Sequence, residues 1–195
     1  MKDSKITIIS TGPGAPDLIT VRAMNAINEQ DIILGNYDLL ETFAKGKNTY
    51  SPEKLFQDTV DFINTCSHEK IGVLVSGDAG FFSLAKTLEE KFDVDIIPGV
   101  SSVNAAFALL KKQWNSFRFY SIHGRDIFDK KLTGSSVILC DSENTPDRFI
   151  EKHPYVRDEY KIYIMKDISL ETEHLYTKTQ GGYDSSRLLL ILEKK

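Results

Sequence analysis

The sequence predicts an α/β protein of two domains, in which a parallel sheet with flanking helices is followed by a smaller C-terminal α/β unit. Three observations carry this expectation. Short runs rich in Ile, Val and Leu alternate with stretches whose apolar residues recur at helical spacing. The early strands run straight into turns bearing Gly or Pro, which open helices, and the alternation restarts beyond a polar break at Lys111–Ser116. Strand, crossover helix and next strand at this spacing imply parallel pairing. The break puts a boundary near residue 112, giving domains 1–112 and 113–195.

Taken in order, Ile6–Ser10 reads as a buried strand and Thr11–Pro16 as its loop, since Pro and Gly do not continue a central strand. A helix follows with Thr20 as N-cap and Val21, Met24 and Ile27 at helical spacing. Asp31–Gly35 is a second strand. Tyr37–Lys45 and Lys54–Cys66 are helical, the latter with Phe56, Val60 and Ile63 on one face. Next come a strand at Ile71–Ser76, a helix at Phe81–Lys91 and a strand at Val94–Ile97. Pro98–Ser102 then turns into a helix bearing Val103, Ala106, Phe107 and Leu110 on one face. In the second domain the strands are Arg118–Ile122, Val137–Cys140, Tyr160–Met165 and Leu188–Leu192. Helices are expected at Pro146–Lys152 and Glu171–Lys178, with a flexible turn at Thr179–Tyr183.

With 195 residues and 41% hydrophobic content, the chain has enough apolar material for a real core. Its net charge of −4 argues against general nucleic-acid binding, which needs a basic surface to displace counterions from phosphates. No apolar run approaches the roughly 20 residues of a membrane span, and none resembles a signal segment, so a cytoplasmic protein is expected. Cys66 and Cys140 are far apart and form no CxxC pair. They read as buried thiols rather than a zinc site or disulfide framework, and no metal site is expected.

Chemistry concentrates in four loops at the carboxyl ends of strands, namely Thr11–Asp17, Gly77–Gly80, Pro98–Ser102 and His123–Arg125. Parallel strands bring such ends to one edge, so the first three should line a common crevice, the usual ligand position in open α/β sheets. Gly77 and Gly80 around Asp78 let a backbone approach a small molecule with no Cβ in the way. On the residues alone, a tight connection with Asp78 as helix cap explains this turn equally well. Ser101 and Ser102 suit the N-cap of the next helix. Gly12 and Gly14 lack dinucleotide-fingerprint spacing, and Pro13 and Pro16 remove amides that a pyrophosphate would need, so NAD is disfavoured. The P-loop and GxSxG motifs are absent. His123-Gly-Arg125 pairs an imidazole with a guanidinium, groups suited to moving a proton and gripping a carboxylate. His68, His153 and His174 fall in polar segments and are assigned to the surface.

Together these loops resemble the tetrapyrrole (corrin/porphyrin) methylase family. Ile9-Ser-Thr-Gly-Pro-Gly-Ala-Pro-Asp-Leu-Ile-Thr20 is similar to its Gly-x-Gly-Pro-Gly-x-x-x-Leu-Leu-Thr opening, Ser76-Gly-Asp-Ala-Gly80 to its Gly-Asp-Pro loop, and Ile97-Pro-Gly-Val-Ser-Ser102 to its Pro-Gly-Val/Ile-Ser-Ser segment. Phe119-Tyr-Ser-Ile-His-Gly-Arg125 is similar to the Ser-Leu-His-Gly-Arg segment of the subgroup that methylates C5 of a corrin precursor. The resemblance implies a two-domain fold with the cofactor in the cleft, and S-adenosylmethionine as methyl donor to cobalt-precorrin-7 in cobalamin biosynthesis. It also implies a homodimer, and a separate enzyme for C15 methylation and decarboxylation. By the same resemblance Gly77, Asp78, Ala79, Phe82, Ser101 and Ser102 meet the cofactor. Gly12, Pro13, Gly14, Arg22 and Arg125 meet the tetrapyrrole, and His123 assists its proton balance. Ser10 stands where the family opens with Gly, and Ala79 where it has Pro, departures expected to loosen the loop. Two alternatives stay open: a family member with another substrate, and a non-catalytic nucleotide-binding module.

Overall fold

The structure, a computed structural model, describes residues 5–179 and 181–195. It divides into two compact units after Ser102, so the helix that follows is counted with the second unit, whereas the sequence expectation keeps it with the first.

The first unit is built on five parallel strands, β1 (Lys5–Ser10), β2 (Ile32–Leu34), β3 (Thr49–Tyr50), β4 (Lys70–Val75) and β5 (Val94–Ile97), in the order β3-β2-β4-β1-β5. Helices α1 (Val21–Asn28), α2 (Tyr37–Phe43), α3 (Leu55–Thr65) and α4 (Ala85–Glu89) connect them. Strand side chains alternate between the two faces. Ile6, Ile8, Ile71, Val73 and Val75 join Val60, Ile63, Ala85 and Leu88 from α3 and α4 in one core. Ile9, Ile33 and Leu74 turn the other way, onto Ala23, Ala26 and Ile27 of α1 and Leu39, Leu40 and Phe43 of α2. With both faces covered, β1 and β4 are nearly continuous apolar runs.

Thr20 caps α1 as expected, its side chain accepting from the Ala23 amide. The inward face differs from expectation. Val21 is 77% exposed and Met24 37%, while Ala23, Ala26 and Ile27 are buried, so the small residues set the packing distance. The expected helix at Phe81–Lys91 shortens to α4, because Ser83 Oγ accepts from the Ala85 amide and donates to the Ala79 carbonyl, and Phe82 has φ +49°. β3 lies outside the sequence expectation; among the described residues its two residues pair with β2 alone.

The second unit opens with α5 (Ser102–Leu110), beginning at the boundary residue, and carries a mixed sheet. Its strands are β6 (Arg118–Ser121), β7 (Ser136–Cys140), β8 (Tyr160–Lys166), β9 (His174–Tyr176) and β10 (Leu188–Lys194), ordered β6-β7-β10-β8-β9. β6 runs parallel to β7, and β10 is antiparallel to both β7 and β8, so β6, β7 and β8 all end at one edge. Helices α6 (Pro146–Lys152) and α7 (Val156–Glu159) supply Phe149, Ile150 and Val156 to a core with Ile138, Cys140, Ile164, Leu188 and Leu190. The expected helix at Glu171–Lys178 is instead β9 and its flanks. Pairing of Ile164–Lys166 with His174–Tyr176 satisfies backbone groups on the β8 edge, which overrides local helix preference. Within the expected turn at Thr179–Tyr183, Gln180 lies outside the described residues, and Gly181 and Gly182 both have positive φ.

His153 is a further correction. It is 4% exposed rather than on the surface, with Nε2 donating to the Phe128 carbonyl at 2.8 Å and the ring 4.5 Å from that of Phe149. His174 is exposed and His68 half-buried.

Candidate functional site

β4, β1 and β5 are neighbours running in one direction, so the loops leaving them meet at one edge of the first sheet. The contact is direct. Gly12 and Gly77 form a two-bond bridge, the Gly77 amide donating to the Gly12 carbonyl at 2.7 Å and the Gly12 amide to the Gly77 carbonyl at 3.2 Å. Gly12 (φ +77°) and Gly77 (φ +74°) both need the left-handed region, where a Cβ is strained. Asp78 joins the loops after β4 and β5: Oδ1 accepts from the Gly80 amide and Oδ2 from the Gly99 amide, both at 2.8 Å. It does not cap α4, which starts seven residues later.

Ser10 tightens this cluster. Its Oγ accepts from the Ala79 amide at 2.9 Å with Ser10 fully buried, so the departure from the family glycine adds a tie between β1 and the loop after β4. The opposing position must stay small: a Cβ on Gly99 would stand 2.6 Å from Ser10 Cβ and 2.8 Å from the Gly77 carbonyl oxygen. A Cβ on Gly77 would stand 3.9 Å from Ser101 Cα and Ser102 N, so these last two residues of the first unit lie alongside the same turn. Ser101 is buried, Pro13 is buried, Gly14 is half-buried, and Phe82 is 44% exposed beside Phe81. Arg22 is exposed in the first turn of α1.

The amides of Gly12, Gly77, Ala79, Gly80 and Gly99 all donate within the cluster. Carbonyls that already accept one bond keep a second lone pair. At Gly12 and Gly99 the missing Cβ makes room for protein atoms, the Leu18 carbonyl oxygen at 2.7 Å and Ser10 Cβ at 2.6 Å, whereas at Gly77 the nearest such atoms stand at 3.9 Å. The Gly77 turn is therefore the part of the cluster with room for a small molecule, and with its amides engaged it offers carbonyl acceptors, suited to a ligand that donates hydrogen bonds or carries positive charge.

In the second unit, His123, Gly124 and Arg125 form an exposed turn after β6, closed by the Arg125 amide donating to the Ile122 carbonyl at 3.1 Å. Gly124 has φ +61° and open space where a Cβ would lie. Its amide donates to Asp141 Oδ2 at 2.6 Å. Asp141, at the end of β7 and 8% exposed, also receives the amides of Glu143 (2.9 Å) and Asn144 (2.6 Å) on Oδ1. Burial pushes its carboxyl up, but the amides of Asn144, Gly124 and Glu143, with the neighbouring His123, prevail and hold it below the ordinary value. Sequence reasoning missed Asp141. The signal was there in Asp141-Ser-Glu-Asn-Thr-Pro146, where an Asp at a strand end precedes a Thr cap and Pro at the first helical position.

Among the described residues, no group of three or more His, Cys, Asp or Glu side chains is placed to hold a metal ion, and no helix is long and apolar enough to cross a membrane. The profile of the Tetrapyrrole (Corrin/Porphyrin) Methylases matches residues 5–182. A probable cobalt-precorrin-7 C(5)-methyltransferase of Methanocaldococcus jannaschii is 26% identical over 187 residues, covering 89% of each chain. The precorrin-6Y methylase structure from Archaeoglobus fulgidus superposes with a TM-score of 0.75 at 19% identity, over 98% of both chains. The uroporphyrin-III C-methyl transferase of Thermus thermophilus, complexed with S-adenyl homocysteine, gives 0.70 at 17% identity, over 97% of both. With its loops, its two sheets and nearly its whole length accounted for, the chain belongs to the tetrapyrrole (corrin/porphyrin) methylase family.

Proposed function

We propose that this chain transfers the methyl group of S-adenosylmethionine to C5 of cobalt-precorrin-7 in cobalamin biosynthesis. Family membership supports methyl transfer, and the name of the relative from Methanocaldococcus jannaschii, aligned over 89% of the chain, supports this substrate and ring position. The observation that carries the cofactor assignment is the convergence of the Gly12, Gly77 and Gly99 turns. With the amides of these turns already engaged, what remains for a ligand beside Gly77 is carbonyl acceptors, which fit an ammonium and a sulfonium better than a pyrophosphate.

Bound there, S-adenosylmethionine supplies a methyl already activated by its positive sulfur. The chain's own residues then have two tasks, alignment and charge placement, which together account for several kcal/mol or more of the barrier. Gly77, Asp78 and Ala79 hold the methionine portion through backbone atoms, with Phe82, Ser101 and Ser102 alongside. C5 of the macrocycle provides the electron pair of the new C–C bond, and the C–S pair stays on sulfur. His123 exchanges the proton that rebalances the macrocycle, Arg125 grips a peripheral carboxylate, and Arg22 with the Gly12–Gly14 turn makes further substrate contacts. The same reading takes the chain as a cytoplasmic homodimer, working beside a separate enzyme for C15 methylation and decarboxylation.

The test compares His123→Ala, Arg125→Ala and Arg125→Lys. S-adenosylhomocysteine affinity should stay near wild type while kcat/KM falls, about ten- to a hundredfold for Arg125→Ala, the loss of one charge-assisted hydrogen bond. Arg125→Lys recovers part, because an ammonium keeps the charge and loses the planar fork. Wild-type turnover in all three variants would remove this turn from the site.

A further inference from the structure

We infer that Asp141 and Asn144 are positioning residues for methyl transfer, acting as a two-point clamp that fixes the His123-Gly124-Arg125 turn. This rests on the assignment of that turn to the substrate. β6 and β7 are parallel neighbours, so their following loops emerge side by side. Asp141 divides its carboxylate between two jobs. Oδ1 closes its own loop through the Glu143 and Asn144 amides, an ordinary Asx turn. Oδ2 reaches across 17 residues to the Gly124 amide at 2.6 Å. From the same loop, Asn144 Nδ2 donates back to the Arg125 carbonyl at 3.0 Å. The turn is thus held at the amide of its middle residue and at the carbonyl of its last.

A loop-closing Asx residue needs neither of the long-range bonds. Asp141 is buried while His123 and Arg125 are exposed, so the clamp holds the turn from its buried side. The Asp141–Asn144 loop is itself anchored. Thr145 caps α6 by accepting from the Arg148 amide, Arg148 Nη1 donates to the Glu143 carbonyl at 2.7 Å, and α6 is rooted in the core through Phe149 and Ile150. A chain of fixed elements therefore runs from the core to the turn, the arrangement that holds a working side chain within the small tolerances that catalysis requires.

The experiment uses the full chain with Asp141→Ala and Asn144→Ala, measuring S-adenosylhomocysteine affinity, kcat and KM with cobalt-precorrin-7, and exchange of the Gly124 amide by NMR. Asp141→Ala is expected to lower kcat/KM at least about tenfold, to leave S-adenosylhomocysteine Kd within about twofold, and to speed Gly124 exchange. Asn144→Ala removes only an exposed bond, so it keeps the test decisive if Asp141→Ala fails to fold. It should lower kcat/KM by a few-fold in the wild-type background and have almost no further effect when His123 and Arg125 are both already Ala, because positioning acts through the residues positioned. Fully additive losses, or wild-type kcat/KM in both variants, would overturn the clamp. A wild-type chain that transfers no methyl marks failure of the reaction assignment instead, while unchanged Gly124 exchange in Asp141→Ala overturns the clamp whatever the activity.

Discussion

Asp78 joins two loops through one carboxylate, and removing it should disturb both stability and cofactor binding in a graded way. In Asp78→Ala the amides of Gly80 and Gly99 lose their 2.8 Å acceptors. The bond to Gly80 is exposed and worth about 0.5–1 kcal/mol; the bond to Gly99 is partly buried and charge-assisted, worth about 1.5–3 kcal/mol. The sum, about 2–4 kcal/mol, corresponds to a fall in Tm of roughly 5–15 °C for a chain of this size. Asp78→Asn keeps one carbonyl oxygen but turns an amide group toward the second N–H, so its loss should be about half. Calorimetry gives the stability series, and titration with S-adenosylhomocysteine gives affinity, expected to fall about tenfold or more for Asp78→Ala as the Gly77 and Gly99 turns separate. The order wild type, Asn, Ala should hold in both measurements. An Asp78→Ala chain that melts and binds like wild type would refute the claim that this carboxylate holds the loops together.

Gly99→Ala places a Cβ 2.6 Å from Ser10 Cβ and 2.8 Å from the Gly77 carbonyl, so denaturant unfolding should show a loss of about 1–3 kcal/mol. Adding Ser10→Gly should recover at most part of it, since the Gly77 contact stays and the bond to the Ala79 amide is lost; a Gly99→Ala chain as stable as wild type would contradict the packing. Burial first, and then the Asp141 charge, push the Cys140 thiol up, so a thiol reagent should label half-buried Cys66 in the native protein and Cys140 only after unfolding. Native labelling of both at equal rates would count against this. Asp141 has a carboxyl held below its unfolded value near 3.8, so its stabilisation is complete above that value and is lost as pH falls through the lower folded value. Acid unfolding of Asp141→Asn should accordingly be less steep than that of wild type over this range, and identical slopes would contradict the assignment.

Much of the first unit was legible because parallel strands buried on both faces are written as continuous apolar runs, and Gly or Pro turns punctuate them. The meeting of the Gly12, Gly77 and Gly99 loops followed from strand direction alone. What failed depended on partners distant in sequence. The segment around His174 reads as helical until the β8 edge claims it, and His153 looks polar until Phe128 and Phe149 enclose it. Val21 and Met24 fit a helical period, but Ala23 and Ala26, on the opposite face of the helix, make the close contact with the sheet. Asp141 escaped because its decisive bond spans 17 residues, and no local pattern announces the far partner. Ser10, read as a loosening departure, ties β1 to Ala79, which only the register of β1 beside β4 makes visible.

The central claim is tested most directly by incubating the purified chain with cobalt-precorrin-7 and isotope-labelled S-adenosylmethionine, then following product mass and the position of the label by NMR. The account predicts a gain of one methyl, the label at C5, and formation of one S-adenosylhomocysteine per product. Bound cofactor with no methyl gain, or a label at another ring carbon, would contradict it.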